Sequence, residues 1–205
     1  MNCSMCDDCG FSGISEKIFY EIHVTVETNP SFEGIAKKIG VKPILIDMGE
    51  KISPHSMTSS KFDGTDKDAL KEAERIADAL SSSGLKVERI KIETVPWHPK
   101  AFFPDKNQYF ETHFAVKLPF DEKELRQFSK MNNLHYSKNL MKTGEHKVQM
   151  LTLREYDTNS NLFQKRVESL KTSFLENGFF LDKTIIEFAL FDTNVDMDNK
   201  WLSRA

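Results

Sequence analysis

The stretch Ile18-Phe19-Tyr20-Glu21-Ile22-His23-Val24-Thr25-Val26 has a counterpart in Gln108-Tyr109-Phe110-Glu111-Thr112-His113-Phe114-Ala115-Val116. Glu, His and the final Val coincide at a spacing of 90 positions, and the aromatic pair occurs in both with its order swapped. Both copies alternate polar and apolar residues with period two, as a half-buried strand does. Further along, at a spacing of 94, Thr58 meets Thr152, Lys71 meets Lys165, Glu74 meets Glu168, Gly84 meets Gly178, and Ile92-Glu93 meets Ile186-Glu187. One loop insertion accounts for the change of spacing. An ordered series of matches of this kind reads as an internal duplication.

Each copy reads strand, helix, strand, strand, helix, strand. In the first, strand 18–28 precedes a helix over 31–39 that starts at Pro30-Ser31 and stops at Gly40. Apolar Val41–Met48 and residues 55–62 are the next strands. Thr65 or Asp66 then caps a helix with Ala69, Leu70, Ala73, Ile76, Ala77 and Leu80 on one face, which Gly84 ends before strand 85–95. In the second copy, strand 108–118 leads to a helix from Asp121 to 131 and to strands 134–141 and 147–156. Asn159 or Ser160 caps the last helix, Gly178 ends it, and strand 179–191 closes the copy. The expected fold is α+β: a tandem duplication of a ferredoxin-like βαββαβ unit with antiparallel sheets. Its parts are a Cys-containing tail (1–15), two halves (16–95 and 107–192), a Pro-rich connector (96–106) that packs on the body, and an Asx-rich tail (193–205). The two open sheet faces would cover each other, as a pair of sheets or a pseudo-barrel.

Composition narrows the function classes. With 28 Lys and Arg against 31 Asp and Glu, the net charge of −3 argues against a nucleic-acid partner, which needs clustered cations. No run reaches the ~20 apolar residues of a membrane helix. No apolar stretch follows Met1, so the expected location is cytoplasmic. The three cysteines are Cys3, Cys6 and Cys9, which excludes a disulfide-stapled fold. Their spacing reads either as a mobile reduced tail or as three thiolates of a metal site completed by Asp7, Asp8 or a group from the fold.

Strand alternation assigns side chains to the open faces. Glu21, His23 and Thr25 share one with Arg89, Lys91 and Glu93. Tyr109, Glu111, His113 and Ala115 share the other with Ile185 and Glu187, and the third strands add Thr58 and Thr152, with Arg154 nearby. In a ferredoxin-like sheet the first strand lies beside the last, so His23 neighbours Glu93 and His113 neighbours Glu187. Two His and two Glu about a pseudo-dyad are suitable ligands for one divalent metal ion such as zinc, iron, nickel or manganese. Glu21 and Glu111 are the candidate general bases, further ligands or acceptors for the imidazole N–H groups. The alternatives are a small-ligand cleft without metal and a face of cross-strand ion pairs with no further role.

These four positions resemble the vicinal-oxygen-chelate superfamily, whose duplicated modules place His or Gln and Glu from first and last strands around one metal. That family's modules are βαβββ, whereas each half here carries a second helix. His23-Val24-Thr25 is similar to the H-x-T/S motif of the 2H phosphoesterase family; the second position, His113-Phe114-Ala115, lacks the hydroxyl. Tyr109-Phe110-Glu111-Thr112-His113 together with Asp192-Thr193-Asn194…Asp198…Trp201 resembles the Y-F-E-x-H segment and D-[ST]-N-x-x-x-D-x-x-W ending of a family of uncharacterised proteins. Asp or Asn at 192, 194, 196 and 198 also resembles a calcium loop, without its Gly at position six or Glu at twelve. An Asx-rich turn anchoring Trp201 is the other reading. His55, His98, His135 and His146 fall at loops or strand ends, where exposure is expected. Three functions follow as expectations: a small-ligand-binding protein or metal-dependent enzyme using the cleft between halves, a phosphoesterase acting on small phosphates, or a scaffold forming homo-oligomers through its sheet edges.

Overall fold

The computed structural model describes residues 18–47, 54–140 and 148–198. The chain runs through β1 (Ile18–Val26), α1 (Phe32–Lys38), β2 (Lys42–Asp47), β3 (His55–Gly64), α2 (Asp66–Ser82) and β4 (Val87–Thr94). It continues through β5 (Tyr109–Val116), α3 (Glu122–Met131), β6 (His135–Asn139), β7 (Gln149–Glu155), α4 (Ser160–Glu176) and β8 (Leu181–Asp192). The fold is α+β, with eight antiparallel strands and four helices among the described residues.

Helix ends follow local chemistry. The Thr65 hydroxyl accepts from the Asp68 N–H, Asp121 from the Glu124 N–H and Asn159 from the Leu162 N–H, each satisfying a first-turn donor. Gly84 and Gly178, just past α2 and α4, have φ of +84° and +75°. That left-handed conformation costs glycine nothing and ends both helices.

The strands close into a barrel in the order β1-β3-β2-β6-β7-β5-β8-β4. The first six elements contribute β4-β1-β3-β2 and the second six β8-β5-β7-β6, the same relative order. Two seams join them. At one, β4 pairs with β8 from Lys91↔Asp192 to Thr94↔Phe188; at the other, β2 meets β6 through Ile46↔Asn139 and Asp47↔Lys138. Closure uses the edges that open sheets would expose. The strand edges on which a homo-oligomer was expected to pair are thus joined within the chain.

Period-two alternation separates the two faces of the barrel wall. Tyr20, Ile22 and Val24 of β1, with Phe110 and Phe114 of β5, lie in one hydrophobic cluster with Ala73 and Ile76 of α2 and Phe163 and Phe174 of α4. Phe110 stacks on Phe163 with centroids 5.1 Å apart. The alternate residues, Glu21 and His23 or Glu111 and His113, face the interior.

The connector lies on the body. Residues 99–102 form a 3-10 turn, Ala101 is fully buried, and His98 is 3% exposed. His98 Nε2 lies 3.0 Å from Asp66 Oδ1, the oxygen that also accepts from the Tyr20 hydroxyl at 2.7 Å. The expected exposure of His98 is therefore corrected: tertiary packing against Phe188 and Tyr20 buries it. Cys3, Cys6, Cys9, His146 and Trp201 lie outside the described residues.

Candidate metal and ligand site

The barrel interior holds a cavity of about 300 Å³ that opens to solvent. Glu21, His23, Glu93, Glu111, His113 and Glu187 all line it, together with Thr25 and Thr152. Thr58 does not. The strand register explains why: His113 pairs with Thr152, whereas Thr25 pairs with Met57, so Ser59 is the residue of β3 that faces inward beside His23. The third strands are related by a spacing of 93, one less than the sequence matches suggest, and one position reverses the face. Ser59 accordingly donates its hydroxyl to Glu21 Oε1 at 2.6 Å.

On the β1–β4 side, His23 Nε2 lies 3.1 Å from Glu93 Oε2 and 3.7 Å from Glu21 Oε1. On the β5–β8 side, His113 Nε2 lies 3.4 Å from Glu187 Oε2 and 3.8 Å from Glu111 Oε2, and its Nδ1 is 2.9 Å from the Thr152 hydroxyl. One ligand atom each from Glu93, His113 and Glu187 lies within 4.8 Å of the others, so this group could hold a metal ion. An O,O,N donor set suits a divalent transition ion. Glu93 belongs to this group and also contacts His23, so both histidines converge on one carboxylate.

The two sides differ in their cations. Lys91 Nζ bridges Glu93 Oε1 at 2.8 Å and Glu111 Oε2 at 2.9 Å. Arg154 donates from Nε to Glu111 Oε1 at 2.6 Å. Position 185, which lines the cavity opposite His113 as Lys91 does opposite His23, is Ile. Glu111 is clamped by two cations, while Glu21 has only Ser59 and the more distant His23 among the described residues.

These surroundings set the titration of the carboxyls. Burial pushes Glu93 up, but Lys91 and the hydrogen bond from His23 outweigh it and hold the carboxyl below its ordinary range. Glu111 experiences the same burial penalty, and Arg154, Lys91 and His113 hold it well below. Glu187 has no such clamp. Burial, reinforced by Glu93 and Glu21, raises it well above the usual carboxylate range. Burial lowers His113 despite the opposing pull of Glu111 and Glu93, which favours the neutral imidazole that ligates metals.

A second ionic cluster, which no local sequence pattern marks, also borders the cavity. Arg89 donates from Nε to Asp192 Oδ1 at 2.9 Å and from Nη1 to Asp198 Oδ2 at 2.8 Å. Arg154 Nη2 reaches the same Asp198 oxygen at 2.6 Å, and Tyr109 donates its hydroxyl to Asp192 Oδ2 at 2.7 Å. The calcium-loop reading of this segment is corrected: Asp192 and Asp198 are neutralised by guanidinium groups. The Asx turn is present, with the Asn194 N–H donating to Asp192 Oδ1 at 3.0 Å. Alternation places Arg89 on the open face, but its pairing with Asp198 spans 109 positions and has no local signal. His55, expected at an exposed strand end, is half-buried and lines the cavity. Six residues, Ile44, Ile46, Met57, Val148, Met150 and Ile185, give the cavity an apolar wall.

The fold and site together define an eight-stranded antiparallel barrel with an acidic, partly apolar interior. No family model matches the chain, and no curated protein matches it. Among solved structures, the small subunit of acetolactate synthase from Thermotoga maritima is similar at 10% identity and a TM-score of 0.29, over 85% of this chain and 96% of that one. A likeness that distant carries no argument about activity. No helix among the described residues is long and apolar enough to cross a membrane.

Proposed function

We propose that the protein binds one divalent metal ion inside the barrel, through Glu93, His113 and Glu187 with His23 adjoining, and uses the rest of the cavity for a small ligand. The observation that carries this reading is an imbalance of buried charge. Five buried carboxylates (Glu93, Glu111, Glu187, Asp192 and Asp198) stand against three buried cations (Arg89, Lys91 and Arg154), and the half-exposed Glu21 adds a further carboxylate to the cavity wall. Lys42 also lines the cavity but sits at an exposed position, where solvent screens it. Uncompensated buried carboxylates are costly, and a dication or a proton on Glu187 relieves them.

Within this proposal the chain is a tandem pair of ferredoxin-like units, 16–95 and 107–192, and the repeated strand order supports that reading. A metal-dependent reaction would draw on Glu21 as general base, since its carboxylate is not clamped by Lys or Arg. The phosphoesterase reading has less support: Ala115 stands where its second hydroxyl is needed, and a phosphate would enter a cavity already rich in carboxylates.

Metal analysis of protein purified without a His-tag tests the proposal. Stoichiometric zinc, iron, nickel or manganese, lost in a His113→Ala variant that remains folded, is the expected result. A metal-free protein that binds none of these ions at micromolar concentration overturns it.

A further inference from the structure

The C-terminal turn Val195–Asp198 inserts one side chain into the barrel. Asp198 is 2% exposed and lines the cavity, whereas Val195, Asp196 and Met197 are exposed or half-buried. The turn hangs from β4 by surface bonds: the Ile90 N–H donates to the Thr193 hydroxyl at 2.9 Å, and Asn194 Nδ2 to the Glu88 carbonyl at 3.2 Å. A surface turn thus places one carboxylate oxygen where Arg89 Nη1 (2.8 Å) and Arg154 Nη2 (2.6 Å) converge. Two guanidinium groups aimed at one point form a strong, directional carboxylate site.

The charge count limits what could use that site. Five carboxylates line the cavity against three buried cations, and an anion added to it would worsen that excess. An anion that takes the place of Asp198 leaves the count unchanged. A monocarboxylate meets that condition, and a phosphate dianion does not. Ile44, Ile46, Met57, Met150 and Ile185 line the same cavity and offer an aliphatic wall to the body of the ligand. A cavity of about 300 Å³ lies at the small end of ligand pockets, so the ligand is small.

We infer that Arg89 and Arg154 form a carboxylate-binding site in which Asp198 is an internal ligand, and that a small aliphatic monocarboxylate exchanges with it. The inference does not depend on the metal reading, because neither arginine belongs to the Glu93–His113–Glu187 group.

The test uses the full chain and hexanoate as probe, with hexanamide as its uncharged control. Asp198→Ala opens the site and is expected to bind hexanoate at least tenfold more tightly than the natural chain, while hexanamide gains nothing. If that variant fails to fold, Asp198→Asn retains an acceptor oxygen without the charge and is expected to tighten binding in the same direction. In the natural chain, saturating hexanoate is expected to speed amide hydrogen exchange across 194–198, because the turn loses its anchor. A purely structural ion cluster gives folded variants with unchanged hexanoate affinity, and that result overturns the inference. Equal gains for hexanoate and hexanamide overturn it as well, since the guanidinium groups would then not be reading the carboxylate.

Discussion

His23 donates from Nδ1 to the backbone carbonyl oxygen of Thr58 at 2.9 Å. A carbonyl oxygen only accepts, so the proton is on Nδ1 and Nε2 faces the carboxylates. A bare Nε2 would set its lone pair against Glu93 Oε2 at 3.1 Å. A divalent metal ion held between the two atoms would satisfy both lone pairs. The same Thr58 accepts from the Val24 N–H through its hydroxyl at 3.2 Å, in the gap of the β1–β3 ladder between Ile22↔Ser60 and Thr25↔Met57. Thr58 thus orients the imidazole from within the barrel wall.

Replacing Thr58 by Val keeps the shape and removes the acceptor for a buried N–H. Chemical denaturation should show a loss of ~1–3 kcal/mol, the cost of one unsatisfied buried donor. A loss indistinguishable from zero would mean that the ladder re-forms around the missing hydroxyl.

For the proposed metal site, His113→Ala and Glu187→Gln should each weaken binding of zinc or manganese by ~10–100-fold in equilibrium dialysis. His23→Ala should weaken it by a similar factor, because its imidazole meets the same Glu93 carboxylate. Unaltered affinity in all three variants is the outcome that excludes this group as the site.

Stability should depend on pH through Glu187. Its carboxyl is raised in the folded chain, so between its unfolded and folded titration the native state holds a proton that the unfolded state has lost. Stability contributed there falls as pH rises. Glu93 and Glu111, held low, act in the opposite sense and lose their contribution as pH falls. In metal-free protein, Glu187→Gln should therefore gain melting temperature over the natural chain, and the gain should be larger at about pH 8 than at about pH 5. A gain independent of pH would contradict the assignment.

Arg154→Met should be severely destabilising, by ~3–5 kcal/mol in urea unfolding, because it leaves Glu111 and Asp198 short of a buried partner. Restoring much of that loss with Glu111→Gln in the same chain would show that the stranded carboxylate is the cause.

Much of this arrangement was legible from local pattern. Period-two alternation in residues 18–26 and 108–116 is enough to place Glu21, His23, Glu111 and His113 on the faces turned away from the helices, because side-chain direction in a strand is set by the chain itself. Caps at Thr65, Asp121 and Asn159 and the glycines at 84 and 178 mark helix ends for equally local reasons. Tertiary structure alone decided what depends on pairing between distant segments. Register turned Thr58 away from the cavity and set Ser59 against Glu21 on the inner face, a one-residue difference that no similarity of sequence resolves. The two seams, β4 with β8 and β2 with β6, made one shared cavity of two open faces and brought Glu93 to His113. Packing buried His98, and the entry of Asp198 between Arg89 and Arg154 joined residues as much as 109 positions apart. Alternation carries no information about such contacts, because it is a property of one strand, whereas barrel closure and ion pairing are properties of the assembled set.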